Sequence, residues 1–296
     1  MPNSATKRST LGLSAAALAA VFWGFGGIFV VLTFASGLVV AFYRLWLGAA
    51  LLTAISYALG KRISWSTLRA AWLGGLLLAG DMAMFYSAVR LTSIVDVSVI
   101  GAFQPALVLI AARPLFGERM SRADVGWIVV AMAGVSVAVI GPSAAGHHRV
   151  LGDLLALGAL LSFSAYWLVS KRARELTGAM EYTAGVMIVA ALGATPIVLL
   201  SGQSLGRIHV SDWLWIALLA VVPGSGHLVM NWAHRFVDAS ISSAISCLAP
   251  LVAAVVAIPI LGQPLTLLQV GGVLVGLSAI AVVAARHREP AQPPVE

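Results

Sequence analysis

Charge is scarce in this chain. Only 10% of its 296 residues are Asp, Glu, Lys or Arg, 60% are hydrophobic, and the mean hydropathy is +0.98. A soluble domain carries about 25% charged residues. No soluble fold of this size could hide so much apolar surface, so the bilayer must be the solvent. Acidic residues are the scarcer sign, 11 against 18 basic ones, giving a net charge of +7. That excess does not indicate nucleic acid, because basic residues at the ends of apolar spans are what membrane topology requires. The single cysteine, Cys247, excludes a disulfide within the chain and argues against a cysteine metal centre. Lying in an apolar run, it reads as packing. No Gly-x4-Gly-Lys-Ser/Thr loop is present, so ATP does not drive this protein directly. There is no HExxH and no aspartate-rich cluster, so an intramembrane enzyme is a distant alternative. The lysines, Lys7, Lys61 and Lys171, are none of them at midspan, which argues against a retinal Schiff base. No charged ring or filter repeat suggests a channel. The lone pair His147-His148 reads as solvated loop. Neither a catalytic residue nor a metal or cofactor is expected.

What is present is long apolar sequence. A helix needs about 20 apolar residues to cross a bilayer, and the chain predicts ten such spans: 11–33, 36–59, 67–89, 94–116, 123–141, 151–170, 179–201, 212–234, 239–261 and 265–285. The first follows Lys7 and Arg8 as a signal peptide would, but its length exceeds the usual apolar run of about 7–15 residues. With the N-terminus inside, the inner segments hold 13 basic residues. The outer ones hold Arg90, Arg149 and Arg207, and Arg44 and Arg113 lie within spans. That bias predicts both termini in the cytoplasm. Tails 1–10 and 286–296 are polar or proline-rich and read as disordered. Trp65, Trp72, Trp127, Trp213 and Trp215 lie near span ends and read as interface anchors.

The spans repeat. Arg90, Pro105, Pro114, Gly117 and Gly126 recur as Arg235, Pro250, Pro259, Gly262 and Gly271, every pair offset by 145. Prolines and glycines fix backbone geometry, so their matched spacing is strong evidence of duplication. Trp23 aligns with Phe163, and Ser36-Gly37 with Thr177-Gly178. The organisation is therefore a first five-helix repeat over 11–141, an outer linker at 142–150 and a second repeat over 151–285. Five is odd, so the second copy enters the membrane upside down. The expected fold is all-α integral membrane, ten transmembrane helices in two inverted five-helix repeats. Such repeats place a substrate site near the midplane at their interface and imply alternating access.

Ala88-x-Arg90 followed by Pro105, Pro114 and Gly117-Glu118 resembles the EamA-type family of the drug/metabolite transporter superfamily, and Gln263 replaces the acid in the second copy. The opening AAVFWGFGG at 19–27 and Tyr43-Arg44 resemble the family's first two spans. Within it the chain is most similar to bacterial aromatic amino-acid exporters. The resemblance implies a secondary transporter in the inner membrane, exporting small amphipathic metabolites such as aromatic amino acids. Export or import of another small metabolite or drug is the alternative. The partners implied are a small-molecule substrate and the lipid bilayer; monomer or dimer is left undecided.

Ionisable groups inside spans default to function. Arg44 either meets a substrate carboxylate, pairs with Asp81 or holds a structural position. Asp81 either exchanges a proton during transport or neutralises Arg44. Their counterparts are Gly185 and Gly226, so the symmetry is broken there. His227 and Asn231 stand at i, i+4 on one helix face, opposite Met82 and Tyr86 in the first copy. They either line a cavity or join helices by hydrogen bonds. Gln104, before Pro105, is placed to meet a freed carbonyl or a substrate. Trp23, Tyr43, Phe85, Phe163, Tyr166 and Trp167 are aromatic within spans, and as a set favour a bulky apolar ligand. Pro105, Pro114, Gly117, Pro250, Pro259 and Gly262 are candidate hinge or gate positions. Gly272-x3-Gly276 is a close-packing motif, for a dimer or within the monomer. Glu118, Arg119, Arg122 and Asp124 form an inner cluster that is either a gate or a solvated loop.

Overall fold

The computed structural model describes residues 4–92, 94–139, 150–206, 208–261 and 265–287. Gly262, Gln263, Arg149, Arg207, His147, His148 and the linker up to residue 149 lie outside them. All regular structure in the described residues is helical: α1 (Ser4–Gly24), α2 (Gly26–Val31), α3 (Gly37–Ala58), α4 (Trp65–Leu91), α5 (Ile94–Gly101), α6 (Gln104–Phe116), α7 (Arg122–Val139), α8 (Val150–Ala173), α9 (Ala179–Leu200), α10 (Asp212–Ala233), α11 (Ala239–Ser246), α12 (Leu248–Leu261) and α13 (Leu267–Arg286). They make ten membrane spans of 18 to 27 residues. At 1.5 Å per residue the shortest still reaches about 27 Å, close to the thickness of the hydrocarbon core. The N-terminal tail departs from expectation, because α1 already begins at Ser4.

Three spans are broken, and the sequence explains two of them. α5 ends at Gly101 and α6 begins at Gln104; α11 ends at Ser246 and α12 begins at Leu248. The breaks at Ala102 and Cys247 are themselves 145 residues apart. Pro105 and Pro250 fall in the first turn of the following helix. Their missing N–H groups leave the carbonyls of Gly101 and Ser246 without an i+4 donor, so the helix stops and starts again with proline where it is tolerated. The third break, at Phe25 between α1 and α2, falls among Gly24, Gly26 and Gly27. Its repeat mate α8 is continuous and carries bulkier residues there.

The inverted symmetry is visible in the packing. α3 packs on α9, the second span of each copy. α7 packs on α13, the fifth span of each. α4 packs on α8, and its mate α10 packs on α1. Glycine allows the closest of these approaches. A Cβ on Gly134 of α7 would sit 2.5 Å from the Gly276 nitrogen, and one on Gly272 would strike the backbone of Ala138. The Gly272-x3-Gly276 motif therefore packs within the chain. The outward faces carry Ile110, Leu154, Leu199, Leu267 and Leu274, all more than half exposed. With no polar face to present, the helices show lipid their aliphatic side chains.

Candidate functional site

At the midplane a cavity of about 220 Å3 opens between the two copies. α1 and α2 contribute Trp23, Gly24, Gly26 and Gly27. α3 and α4 contribute Arg44, Asp81, Met82, Phe85 and Tyr86. The broken spans contribute Val97, Ser98, Ala102, Gln104 and Pro105 on one side and Ser246, Cys247 and Pro250 on the other. α8 and α10 add Ala156, Leu160, Phe163, Pro223 and His227. The seventh span, α9, supplies none of the lining residues. Most of the lining lies at the midplane and toward the end of the bundle where α8 begins. Both helix breaks border the cavity, so the interruptions shape it.

Arg44 is fully buried, 2% exposed. Its Nε donates to the Leu219 carbonyl at 3.3 Å. That carbonyl is free because Pro223, four residues on, has no N–H to give it. Its Nη1 approaches the Met82 sulfur at 2.7 Å, and the guanidinium lies 6.0 Å from the Tyr86 ring centre. A thioether is a weak acceptor, so the cation has one carbonyl and no anion. Asp81 lines the same cavity but forms no ion pair with Arg44, nor a hydrogen bond to any described residue. Arg44 and Asp81 thus face one cavity without touching each other in an ion pair.

The broken symmetry has a steric reason. A Cβ on Gly226, the position matching Asp81, would lie 2.7 Å from the Trp23 indole nitrogen. One on Gly185, matching Arg44, would lie 3.1 Å from the Ala71 Cβ. Trp23 meets Phe163 edge-on at 5.6 Å and His227 at 5.2 Å, which gives the cavity an aromatic wall. Three polar atoms in the lining lack partners among the described residues: Trp23 Nε1, Gln104 Nε2 and His227 Nδ1. The Gln104 oxygen accepts from Ser246 Oγ at 2.9 Å, tying the two broken spans together.

Of the residues expected at the site, Trp23, Arg44, Asp81, Met82, Phe85, Tyr86, Gln104, Phe163 and His227 line the cavity, as do Pro105 and Pro250. Tyr43, Trp167 and Asn231 do not. The Tyr43 hydroxyl donates to the Leu205 carbonyl near the other end of α9 and its ring packs on Trp213. Trp167 is fully buried and donates to the Ala239 carbonyl at 3.3 Å. Asn231, one turn beyond His227, donates to Tyr166 and Thr183 hydroxyls, so it joins helices. Pro114 and Pro259 sit inside α6 and α12, and Gly117 caps α6 in the left-handed conformation at φ +69°. Cys247, read as packing, borders the cavity at the break. The signal for it was the equivalence with Ala102 just ahead of the matched prolines.

The bundle is closed at the opposite end. Glu118 accepts from the Ala239 and Ser240 backbone N–H groups at 2.7 and 3.0 Å and from Ser240 Oγ at 2.7 Å. The carboxylate that follows α6 of the first copy thus clasps the start of α11 of the second. Lys171 donates to the carbonyls of His234 and Val237, and Arg286 pairs with Asp124 at 2.6 Å. All eight residues of α11 are buried. Trp167, in contact with Trp23 at 5.8 Å and His234 at 5.0 Å, lies beneath the cavity on this side.

Comparisons agree with this architecture. A solved crystal structure superimposes with a TM-score of 0.79 at 20% identity, covering 96% of this chain and 99% of that one, which establishes the fold. An uncharacterised transporter, YyaM of Bacillus subtilis (strain 168), is 26% identical over 215 residues, 70% of each chain. The model of the EamA-like transporter family matches residues 10–140 and again 150–285, one match per repeat. With two matched copies, ten spans and a cavity between them, the chain is a multi-pass membrane protein that belongs to the EamA-like transporter family.

Proposed function

We propose that this transporter exports aromatic and related α-amino acids by alternating access, with both termini in the cytoplasm. The observation that carries the reading is that Arg44 and Asp81 line one aromatic-walled cavity without pairing with each other. A zwitterion fits that pair. Its carboxylate completes the donor set of Arg44, its ammonium meets Asp81, and its ring lies against Trp23, Phe85 and Phe163. Trp23 Nε1, Gln104 Nε2 and His227 Nδ1 supply further hydrogen-bonding positions. The cavity is below the roughly 300–1,000 Å3 of drug-sized sites, which favours a single small metabolite. The resemblance to aromatic amino-acid exporters points the same way.

In this reading the cavity faces the outside and the Glu118 clasp is the closed inner gate. Opening inward separates Glu118 from α11 and lifts Trp167 from beneath Trp23. The broken spans serve as joints, because helices interrupted at Ala102 and Cys247 bend without breaking an intact hydrogen-bond ladder.

The test is direct binding to the purified protein of phenylalanine, phenylalaninamide and 3-phenylpropanoate. The amide lacks the carboxylate and the propanoate lacks the ammonium. Phenylalanine binds tightest and both analogues weaken about tenfold or more, the cost of one charge-assisted hydrogen bond. Equal binding of all three removes the zwitterion site.

A further inference from the structure

The closed end of the bundle holds a second cleft, of about 450 Å3, between the start of α9, the last turns of α10 and the turn after α3. Its walls divide by chemistry. Leu228, Trp232 and Phe236 form an apolar side, the two rings 4.7 Å apart. Lys61, Arg174 and Arg235 form a cationic side.

Arg174 is the unusual member. It is 4% exposed, and its Nε is fixed on the Asn231 carbonyl at 2.7 Å. Its buried Nη1 has no partner among the described residues. A guanidinium has five donors and no acceptor, and a buried donor left unmade is costly. Burial and the neighbouring Arg235 cation push its ionisation below the usual arginine range, against the opposing pull of Glu181. That is the direction expected of a cation short of a counter-ion.

The start of α9 carries its own acid: Glu181 stands in the first turn and its carboxylate lies against the Gly178 N-cap, where it answers the helix dipole. Glu181 is the acid at the cleft, and its carboxylate pairs with Lys61 at 3.3 Å. Arg174 and Arg235 have no carboxylate partner among the described residues.

We propose that this cleft binds the phosphodiester headgroup of an anionic phospholipid. The phosphate sits on Arg174 and Arg235. The glyceride and the start of the acyl chains lie on Trp232, Phe236 and Leu228. The arrangement favours a lipid over a soluble phosphate because the cations stand at the very end of the apolar spans and the apolar wall runs into the membrane half. Basic pockets between transmembrane helices at the cytoplasmic side suit such headgroups. The cleft is separate from the central cavity, with Trp167, Tyr166 and Asn231 packed between them.

The full chain, purified in neutral detergent, is titrated with phosphatidylglycerol, phosphatidylcholine and glycerol 3-phosphate, and retained molecules are counted by native mass spectrometry. Phosphatidylglycerol binds with about tenfold or greater preference over phosphatidylcholine, and Arg174→Gln removes about tenfold of that affinity, as expected for one charge-assisted hydrogen bond. Arg235→Gln, at an exposed position, gives a loss of the same order. Equal binding of the two lipids overturns the proposal, as does a preference unchanged in both variants. Glycerol 3-phosphate competing as well as the lipid overturns the lipid assignment.

Discussion

Arg44 illustrates how one side chain is made available for work inside a membrane. A charge at the centre of a span costs about 2.5–3.5 kcal/mol on insertion scales, so it needs a reason to be there. Pro223 frees the Leu219 carbonyl, that carbonyl takes Nε, and the rest of the guanidinium faces the cavity. Arg44→Gln keeps a donor for Leu219 and loses the charge. The account predicts that its affinity for phenylalanine falls roughly tenfold to hundredfold, while phenylalaninamide binds as it does to the unchanged protein. Asp81 makes the reciprocal prediction. Asp81→Asn weakens phenylalanine about tenfold and leaves 3-phenylpropanoate unaffected, as measured by competition binding. If transport by that variant keeps the original response to pH, Asp81 recognises substrate and carries no proton.

At the scale of elements, the account rests on joints and clasps. The matched prolines marked hinge candidates in the fourth and ninth spans, because an absent N–H is a property of the residue, although both spans read as continuous helices in the sequence. The break at Phe25 was not foreseen, since glycines permit an interruption without requiring one. The misplacement of Tyr43, Trp167 and Asn231 has a different cause. In a soluble helix the polar face marks the outside, but here both faces are apolar, so sequence gives the span and not its rotation. The i, i+4 spacing put His227 and Asn231 on one face correctly and could not say that the cavity ends between them.

Two predictions belong to this scale. Removing the Glu118 carboxylate deletes the bonds that close α11. Losing one such bond, ~1.5 kcal/mol or more, moves a two-state equilibrium by about tenfold. In Glu118→Ala, a cysteine introduced by Ser243→Cys in a Cys247→Ala background therefore becomes more reactive to a membrane-impermeant maleimide added from the Glu118 side. Unchanged reactivity would mean that Glu118 does not hold the gate. The second concerns the packing of α13 on α12. Gly276→Val forces a side chain against Leu251, whose nearest atom stands 2.9 Å from a Cβ there. Overpacking of this kind costs about 1–3 kcal/mol, and it appears as a lowered melting temperature in detergent.

For the whole molecule, composition and the offset of 145 together specified ten spans in two inverted copies, and the packing of α3 on α9 and α7 on α13 realises that symmetry. The sequence alignment located where the copies differ but not the steric reason. A Cβ at Gly226 would strike Trp23 and one at Gly185 would crowd Ala71, so one copy carries Asp81 and Arg44 while the other stays small at the matching positions. In the proposed mechanism that division concentrates recognition in the first repeat and, with the Glu118 clasp, leaves the second repeat the moving gate. The orientation proposed from the basic residues puts this gate at the cytoplasm.

The central claim is that the cavity carries an intact aromatic amino acid across the bilayer. Purified protein in liposomes, loaded with labelled phenylalanine, tryptophan or threonine and followed with and without a pH gradient, tests it most directly. The account predicts saturable flux of chemically unchanged phenylalanine and tryptophan, competed by one another and reduced in Arg44→Gln. Correctly folded protein that moves none of these amino acids, or that alters them, would contradict it.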